Sequence, residues 1–339
     1  GVGVRVYLIR RLLLTIPTLF IASIIVFLSV RFIPGDVVDV MMMRAQTGMS
    51  EETRAAIRRD LGLDTPIHIQ YGRWLGVLPQ HDAPSDAGAR NARFNGVLQG
   101  NVGTSLWTGV PVLEALKRRL PVTVELSLMG LVLGLLIAMP IGMYSALRQD
   151  TIGDYIARSI AMAFIAVPYF WIGILVVVFG SLWFRYMPPL RLVPLVEDPL
   201  GNLGQFIVPA IVLGMVLSGW TMRLTRTMML EVLRQDYVRT AWAKGLRERA
   251  VVLRHALKNS LIPVVSLIGL QLPLLFGGTV VIEEIFLLPG VGRYTVEATI
   301  SRDYPVISGV LLLFGATVVL ANLLIDLSYG FLDPRIRYE

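Results

Sequence analysis

Cysteine is absent from the 339 residues of this chain, and its absence excludes disulfide bonds, thiolate metal sites and cysteine nucleophiles. It leaves the redox compartment undecided. Histidine is nearly absent: His68, His81 and His255 are far apart in the sequence, which gives little support to a histidine-based metal site. We therefore predict no metal site.

Motifs for nucleotide binding and hydrolysis are also missing. None of the three lysines, Lys117, Lys244 and Lys258, is followed by Ser or Thr, so the chain has no GxxxxGK[ST] phosphate-binding loop. The hydrolase motifs HExxH and GxSxG do not occur either. We predict that the chain has no catalytic residues and binds no cofactor of its own.

Charge is scarce, since 16% of the residues are charged and 55% are hydrophobic, whereas soluble domains carry about 25% charged residues. A lipid-facing surface explains this deficit. A membrane-spanning helix needs about 20 apolar residues. The long apolar runs of this chain lack the alternation of apolar and polar residues that is typical of barrel strands. We predict an all-α polytopic membrane protein with six transmembrane helices. Six runs without Asp, Glu, Lys or Arg are long enough to span: Leu12–Val30, Leu126–Leu147, Ser159–Phe184, Leu203–Met222, Asn259–Ile282 and Tyr304–Ile325.

The distribution of Arg and Lys predicts the orientation of these spans. Basic residues concentrate in the short segments that share a side of the membrane with the N-terminus, and nine of them lie between Arg223 and Lys258. Because short cytoplasmic loops are enriched in Arg and Lys, both termini are predicted to be cytoplasmic. This topology explains the net charge of +7 without a nucleic-acid partner.

The spans divide the chain into three predicted parts. Residues 1–33 form the N-terminal segment and first span, residues 34–120 an extracytoplasmic cap segment, and residues 121–339 the transmembrane core with a cytoplasmic loop at 223–260. In the cap segment, Ser50 suits a helix N-cap, Glu51 and Glu52 suit the first turn, and the helix should end near Gly62. Residues 80–93 are rich in Pro, Ala, Asp and Gly and predict a flexible excursion.

The cytoplasmic loop is predicted to hold two helical stretches on either side of Gly245, a residue suited to the left-handed conformation that ends helices. From the residues alone, two interpretations stay open. The loop is either an element that docks a protein partner or an amphipathic segment that lies on anionic lipid.

Two prolines are predicted to interrupt the third and fifth runs, Pro168 and Pro273. Broken helices in a membrane can form a hinge or line a substrate path, and Gly277 and Gly278 near Pro273 favour a hinge. A static kink with close packing is the alternative.

Several segments together resemble one family, the B-type permease subunit of the oligopeptide, dipeptide and nickel ABC importers. The similarity covers most of the chain and keeps the order of the motifs. The segments are FIPGD (32–36), LGLDTPIHIQYGRWL (61–75), GNVGTS (100–105), PVTVEL (121–126), DYVRTAWAKGL (236–246), HALKNSLIPV (255–264), GGTVVIEEIFLLPGVGR (277–293), RDYPVISG (302–309) and NLLIDLSYGFLDPRIR (322–337).

The resemblance implies that the loop docks on an ATPase subunit and transmits its closure to the spans. Here the general importer motif Glu-Ala-Ala is replaced by Arg-Thr-Ala, as in the peptide branch, and a tryptophan stands where that branch usually has a smaller or charged residue. The implied docking residues are Tyr237, Arg239, Thr240, Ala241, Trp242, Lys244, Gly245 and Leu246.

The resemblance also implies partners and a location. The expected partners are a second homologous permease, two ABC ATPase subunits that bind ATP and Mg, and an extracytoplasmic substrate-binding protein, in a bacterial or archaeal cytoplasmic (inner) membrane. Peptides are the expected substrate, with nickel complexes, glutathione or another small solute as alternatives. An ion-coupled secondary transporter and a membrane scaffold are the competing classes.

Overall fold

The computed structural model describes residues 2–32, 38, 51–60, 62–81, 92–189 and 191–332. Ser50 and residues 82–91 of the predicted excursion lie outside this part of the chain. The described chain forms two compact units. Unit 1 comprises residues 1–12, 121–293 and 320–339, and unit 2 comprises residues 13–120 and 294–319.

The described elements are almost all helical. The helices are α1 (Val2–Arg31), α2 (Glu51–Asp60), α3 (Ile67–Leu75), α4 (Val112–Leu147), α5 (Ile152–Ala166), α6 (Tyr169–Phe184), α7 (Pro199–Leu233), α8 (Asp236–Ala243), α9 (Glu248–Ala250), α10 (Lys258–Ile285), α11 (Val291–Ser301) and α12 (Tyr304–Leu332). A 3-10 turn lies at Val97–Gln99, and π-helical turns at Val251–Leu257 join α9 to α10. Two short strands, β1 (Gln80–His81) and β2 (Ala92–Arg93), pair antiparallel.

The apolar runs lie on helices, as expected for segments that must satisfy their backbone groups within a bilayer. Among the described residues, four stretches are long and apolar enough to cross a membrane alone: Arg10–Arg31, Val112–Leu147, Pro199–Leu233 and Tyr304–Leu323. Two bent helix pairs raise the number to six if each pair is one span. The fold is therefore an all-α membrane protein with four to six candidate spans.

The third predicted span is broken at Val167–Pro168, where α5 and α6 meet at 95°. Pro168 precedes the first residue of α6 and has a φ of −60°, which suits a helix start because proline needs no donor there. The fifth run differs from the prediction. Pro273 lies inside α10 and does not interrupt it, and the bend of 49° falls between Leu261 and Pro263. The stretch before the bend contains the π-helical turns at Val251–Leu257, and π-helical turns and prolines are both established causes of helix bends.

Helix α7 is the central helix of unit 1, and small residues let α4 approach it closely. A Cβ atom added at Gly214 would lie 2.5 Å from the carbonyl oxygen of Gly130. One turn further along, the Ser218 hydroxyl lies 3.0 Å from the carbonyl oxygen of Gly134. Glycine and serine at a helix contact bring backbones together in a membrane, where packing rather than the hydrophobic effect holds helices in place.

In unit 2, aromatic contacts hold α3 against α1. The Ser23 and Tyr71 hydroxyls are 2.8 Å apart, and the ring centroids of Phe27 and Tyr71 are 5.4 Å apart in an edge-on arrangement. Helix α2 starts with Glu51 and Glu52 in its first turn, and Gly62 just beyond its end has a φ of +66°. These two features agree with the helix predicted for this segment.

A second contact within unit 2 joins the loop before α4 to the junction of α11 and α12. The buried Asp303 carboxylate accepts hydrogen bonds from the Ser105 hydroxyl (2.6 Å) and the Leu106 amide (3.2 Å). The Trp107 indole donates to the Ser301 carbonyl oxygen (2.9 Å).

Replacing Asp303 with alanine is expected to destabilise unit 2 by about 1–3 kcal/mol, because a buried hydroxyl and an amide lose their acceptor. The apparent melting temperature of the purified protein in detergent measures this loss. Ser301→Ala is the matched control, since the Ser301 hydroxyl donates to the Glu297 and Ala298 carbonyl oxygens of its own helix and the main-chain contact to Trp107 is retained. Equal melting temperatures for the two variants would contradict the prediction.

Candidate functional site

The segment after α7 forms the helix–turn–helix that the sequence predicts. Helix α8 ends at Ala243, and Gly245 follows with a φ of +73°, in the left-handed region where glycine costs little. The Gly245 amide donates to the Trp242 carbonyl oxygen (2.9 Å), and the Leu246 amide donates to the Ala241 carbonyl oxygen (3.4 Å). These bonds satisfy the end of α8, and we call residues 236–257 the docking segment.

One face of the docking segment packs against its own chain. Val238, Ala241 and Val251 are buried together, with Val232 and Leu233 of α7 packed against them. Ala241 is therefore covered within unit 1 rather than presented to a partner, because it lies three residues after Val238 and shares its face of the helix. This packing fixes the direction of α8 relative to α7.

The exposed surface of the docking segment carries large apolar side chains. Tyr237, Trp242 and Leu246 are 42%, 45% and 39% exposed. The Tyr237 hydroxyl accepts a hydrogen bond from the Asn259 side chain (2.7 Å), which restricts its position. Aromatic residues held in place on a surface are typical anchors of protein interfaces.

Polar groups surround these anchors. The Arg239 side chain is 76% exposed and lies 3.8 Å from the Asp236 carboxylate. Lys244 is exposed, and the exposed Thr240 hydroxyl donates to the Asp236 carbonyl oxygen of its own helix. Of the eight residues predicted for docking, the structure leaves Tyr237, Arg239, Thr240, Trp242, Lys244, Gly245 and Leu246 at the surface.

The base of the docking segment is packed on the ends of the long helices. Met229 of α7 forms a buried cluster with Ala146 of α4 and with Val252 and Ala256 of the π-helical turns. The Ser260 hydroxyl at the start of α10 lies 3.1 Å from the Met229 sulfur. A displacement of the docking segment would therefore act on α4, α7 and α10 together.

A second site explains the motif at 277–293, to which the sequence alone assigns no role. Glu283 is fully buried, and its carboxylate accepts hydrogen bonds from the Thr123 hydroxyl (2.7 Å) and the Arg293 amide (3.0 Å). Thr123 in turn accepts from the Val291 amide (2.8 Å). A Cβ atom added at Gly290 would lie 2.3 Å from this carboxylate. The glycines of PGVGR therefore let the turn close over Glu283.

The neighbouring Glu284 is exposed, and its carboxylate lies 3.9 Å from the Arg293 guanidinium. Sequence reasoning missed the role of Glu283 because two adjacent glutamates give no sign of which one is buried. Gly290 and Gly292, which follow Glu283 in the same motif, were the sequence feature that could have indicated a close approach to this side chain.

Gly277 and Gly278, two of the residues predicted as hinge positions, have different surroundings. Among the described residues, no atom lies within 4 Å of a Cβ added at Gly277, whereas at Gly278 that atom would lie 3.2 Å from Leu213. Gly278 also borders a mostly apolar cleft of about 400 Å³ between α6, α7 and α10. This cleft is lined by Tyr169, Leu213, Val216, Leu217, Trp220, Leu267, Leu270, Gln271, Leu275 and Gly278.

Comparison with known proteins agrees with this architecture. Residues 138–338 match the family described as binding-protein-dependent transport system inner membrane component, and residues 4–127 match its N-terminal family. A peptide transport system permease of Brucella abortus (strain 2308) is 37% identical over 332 residues, which are 98% of this chain and 99% of the relative. The dipeptide transport system permease protein DppB of Escherichia coli (strain K12) is 35% identical over 356 residues, with 98% and 99% coverage.

Among solved structures, the inward-facing MetNI methionine ABC transporter has a chain of similar fold. The TM-score is 0.51 at 17% identity, over 63% of this chain and 94% of that chain. The fold, the two family matches and the full-length relatives all point the same way. The chain belongs to the family of binding-protein-dependent transport system inner membrane components and is a B-type permease component of an ABC importer, a multi-pass protein of the inner membrane.

Proposed function

We propose that this chain is one of two permease subunits of an ATP-driven importer of dipeptides or short oligopeptides. The observation that carries this function is the docking segment, whose inner face is packed on Val232 and Leu233 and whose outer face exposes Tyr237, Trp242 and Leu246. This surface suits an ATPase subunit that binds ATP and Mg on its own chain. The names of the relatives support a peptide substrate.

In this proposal both termini and the docking segment are cytoplasmic, and a substrate-binding protein delivers the peptide from the other side. ATP-driven closure of two ATPase subunits moves the docking segments of this chain and of its partner permease. The bend at Pro168 is a hinge in this mechanism, whereas Pro273 and Gly278 are packing positions in α10. Nickel complexes or glutathione would fit the same class of importer.

Purification from the native host in a mild detergent, followed by mass spectrometry, tests the proposed partners. We expect a second permease and one or two ATPases with a phosphate-binding loop. The complex, placed in proteoliposomes with its binding protein, should accumulate a labelled dipeptide only when ATP and Mg are supplied. Recovery of this chain alone as a homo-oligomer that drives uptake without ATP would overturn the proposal in favour of an ion-coupled transporter.

A further inference from the structure

A buried ion pair joins α5 to α7 in unit 1. The Asp154 carboxylate is fully buried and accepts from the Arg226 guanidinium in a bidentate arrangement, Nε to Oδ1 and Nη2 to Oδ2, both at 2.9 Å. The same carboxylate accepts from the Ser145 hydroxyl at the end of α4 and from the Asp150 amide (3.1 Å). One carboxylate thus connects α4, α7 and the turn before α5.

The Asp150 backbone has a φ of +60°, a conformation that is uncommon for residues other than glycine. The hydrogen bond from the Asp150 backbone amide to the Asp154 carboxylate holds that turn in place. A second guanidinium, that of Arg158, lies 3.5 Å from Asp154, and it sits one turn further along the same helix α5. Arg158 therefore adds no connection between helices, whereas Arg226 does.

Arg226 lies on α7, the helix that leads directly into the docking segment. It lies seven residues before Leu233, the last residue of α7, or about 10 Å along the helix axis at 1.5 Å per residue. Val232 and Leu233 pack on the buried face of the docking segment. A force on α8 therefore reaches Arg226 through continuous helix.

We propose that the Asp154–Arg226 ion pair is the joint that makes α5 move with α7 when the docking segment moves. The inference rests on the proposed function. Asp154 and Arg226 act as positioning residues and contact neither ATP nor peptide. Beyond α5 the chain turns by 95° at Val167–Pro168, so a joint at the start of α5 would convert the motion of α7 into a movement of the bent third span.

The chemistry of the pair suits a joint better than a simple stabiliser. A buried ion pair adds little net stability over an apolar contact of the same size, but separating its members leaves an uncompensated charge. Bidentate guanidinium–carboxylate pairs also fix orientation as well as distance. Two helices joined in this way resist both sliding and rotation relative to each other.

The test uses the whole transporter in proteoliposomes and measures peptide imported per ATP hydrolysed. The main variant is the neutral double substitution Asp154→Asn with Arg226→Gln, which removes the pair without leaving either charge unmatched. We expect this ratio to fall by about 5-fold or more, the lower end of coupling between protein sites. Arg158→Gln is the matched control and should keep the wild-type ratio.

A lower amount of assembled transporter with an unchanged ratio would overturn the joint, because a merely structural role reduces transport and ATP hydrolysis together. The same fall in Arg158→Gln would also overturn it, since loss of local charge would then suffice. If the wild-type transporter takes up no peptide with ATP and its binding protein, the proposed function has failed. A wild-type ratio of peptide imported per ATP in the double variant would overturn the proposed joint and leave the proposed function standing.

A second measurement does not depend on the assembly of the double variant. The chain has no cysteine, so it can be spin-labelled separately at cysteines introduced at the exposed positions Ile152 and Arg234 and then assembled with its partner subunits. In the otherwise wild-type complex, the distance between the labels should stay constant when a non-hydrolysable ATP analogue binds. A change in that distance would show that α5 and the end of α7 move separately and would overturn the proposal.

Discussion

Replacing Gly245 with proline is expected to abolish ATP-driven peptide uptake while the chain still inserts into the membrane. Gly245 has a φ of +73°, and proline fixes φ near −65° and removes the amide. The bond from that amide to the Trp242 carbonyl oxygen (2.9 Å) would be lost as well. A cost of about 3 kcal/mol for an incompatible proline lowers the population of the native turn on the order of a hundredfold.

Two smaller substitutions separate conformation from volume at this position. An added Cβ at Gly245 meets no atom within 4 Å, so Gly245→Ala adds only the left-handed penalty of about 1–2 kcal/mol. Asparagine tolerates that conformation better, and Gly245→Asn should keep more uptake than Gly245→Ala. The readouts are uptake in proteoliposomes and co-purification of the ATPases. Native uptake by Gly245→Pro would show that the turn takes no part in docking.

Replacing Glu283 with alanine is expected to lower stability far more than the same change at Glu284. Alanine at 283 removes the acceptor of the buried Thr123 hydroxyl and of the partly buried Arg293 amide. Bonds to charged groups contribute about 1.5–3 kcal/mol each, so the loss should be about 3 kcal/mol or more. Glu284 is exposed, and its carboxylate forms a long ion pair with Arg293, a contact of about 0–1 kcal/mol.

The comparison of these two alanine variants uses the same chemical change one residue apart. The apparent melting temperature in detergent should fall by several degrees for Glu283→Ala and stay near wild type for Glu284→Ala. A complementary variant, Gly290→Ala, should behave like Glu283→Ala because its Cβ would lie 2.3 Å from the carboxylate. Equal melting temperatures for Glu283→Ala and Glu284→Ala would contradict the structural role assigned to Glu283.

The helices that were predictable are those with a local physical cause. Long runs without charge must form helices in a bilayer, because no water is present to satisfy the backbone. The acidic first turn predicts α2, and the turn at Gly245 follows from the residue that best accepts a positive φ. The exact number of spans did not follow in the same way, since a 95° bend leaves an uncharged run uninterrupted in sequence.

The effect of the prolines on the fifth run could not be predicted from neighbouring residues. The fifth run holds both Pro263 and Pro273, and we predict an interruption at Pro273 from the sequence. Only the structure places the bend before Pro263 and keeps Pro273 within α10. A membrane helix can tolerate a proline without breaking, and the sequence around each proline does not indicate which of the two will bend the helix.

The sequence by itself determined the membrane class, the helical character of the long apolar runs and the turn at Gly245, because composition, run length and glycine conformation are properties of neighbouring residues. Tertiary structure alone decided that Ala241 is covered while Trp242 is exposed, that Glu283 rather than Glu284 is buried, and that Asp154 meets Arg226 across 72 residues. Such pairings depend on how helices pack, and packing brings together groups whose separation along the chain carries no local signal.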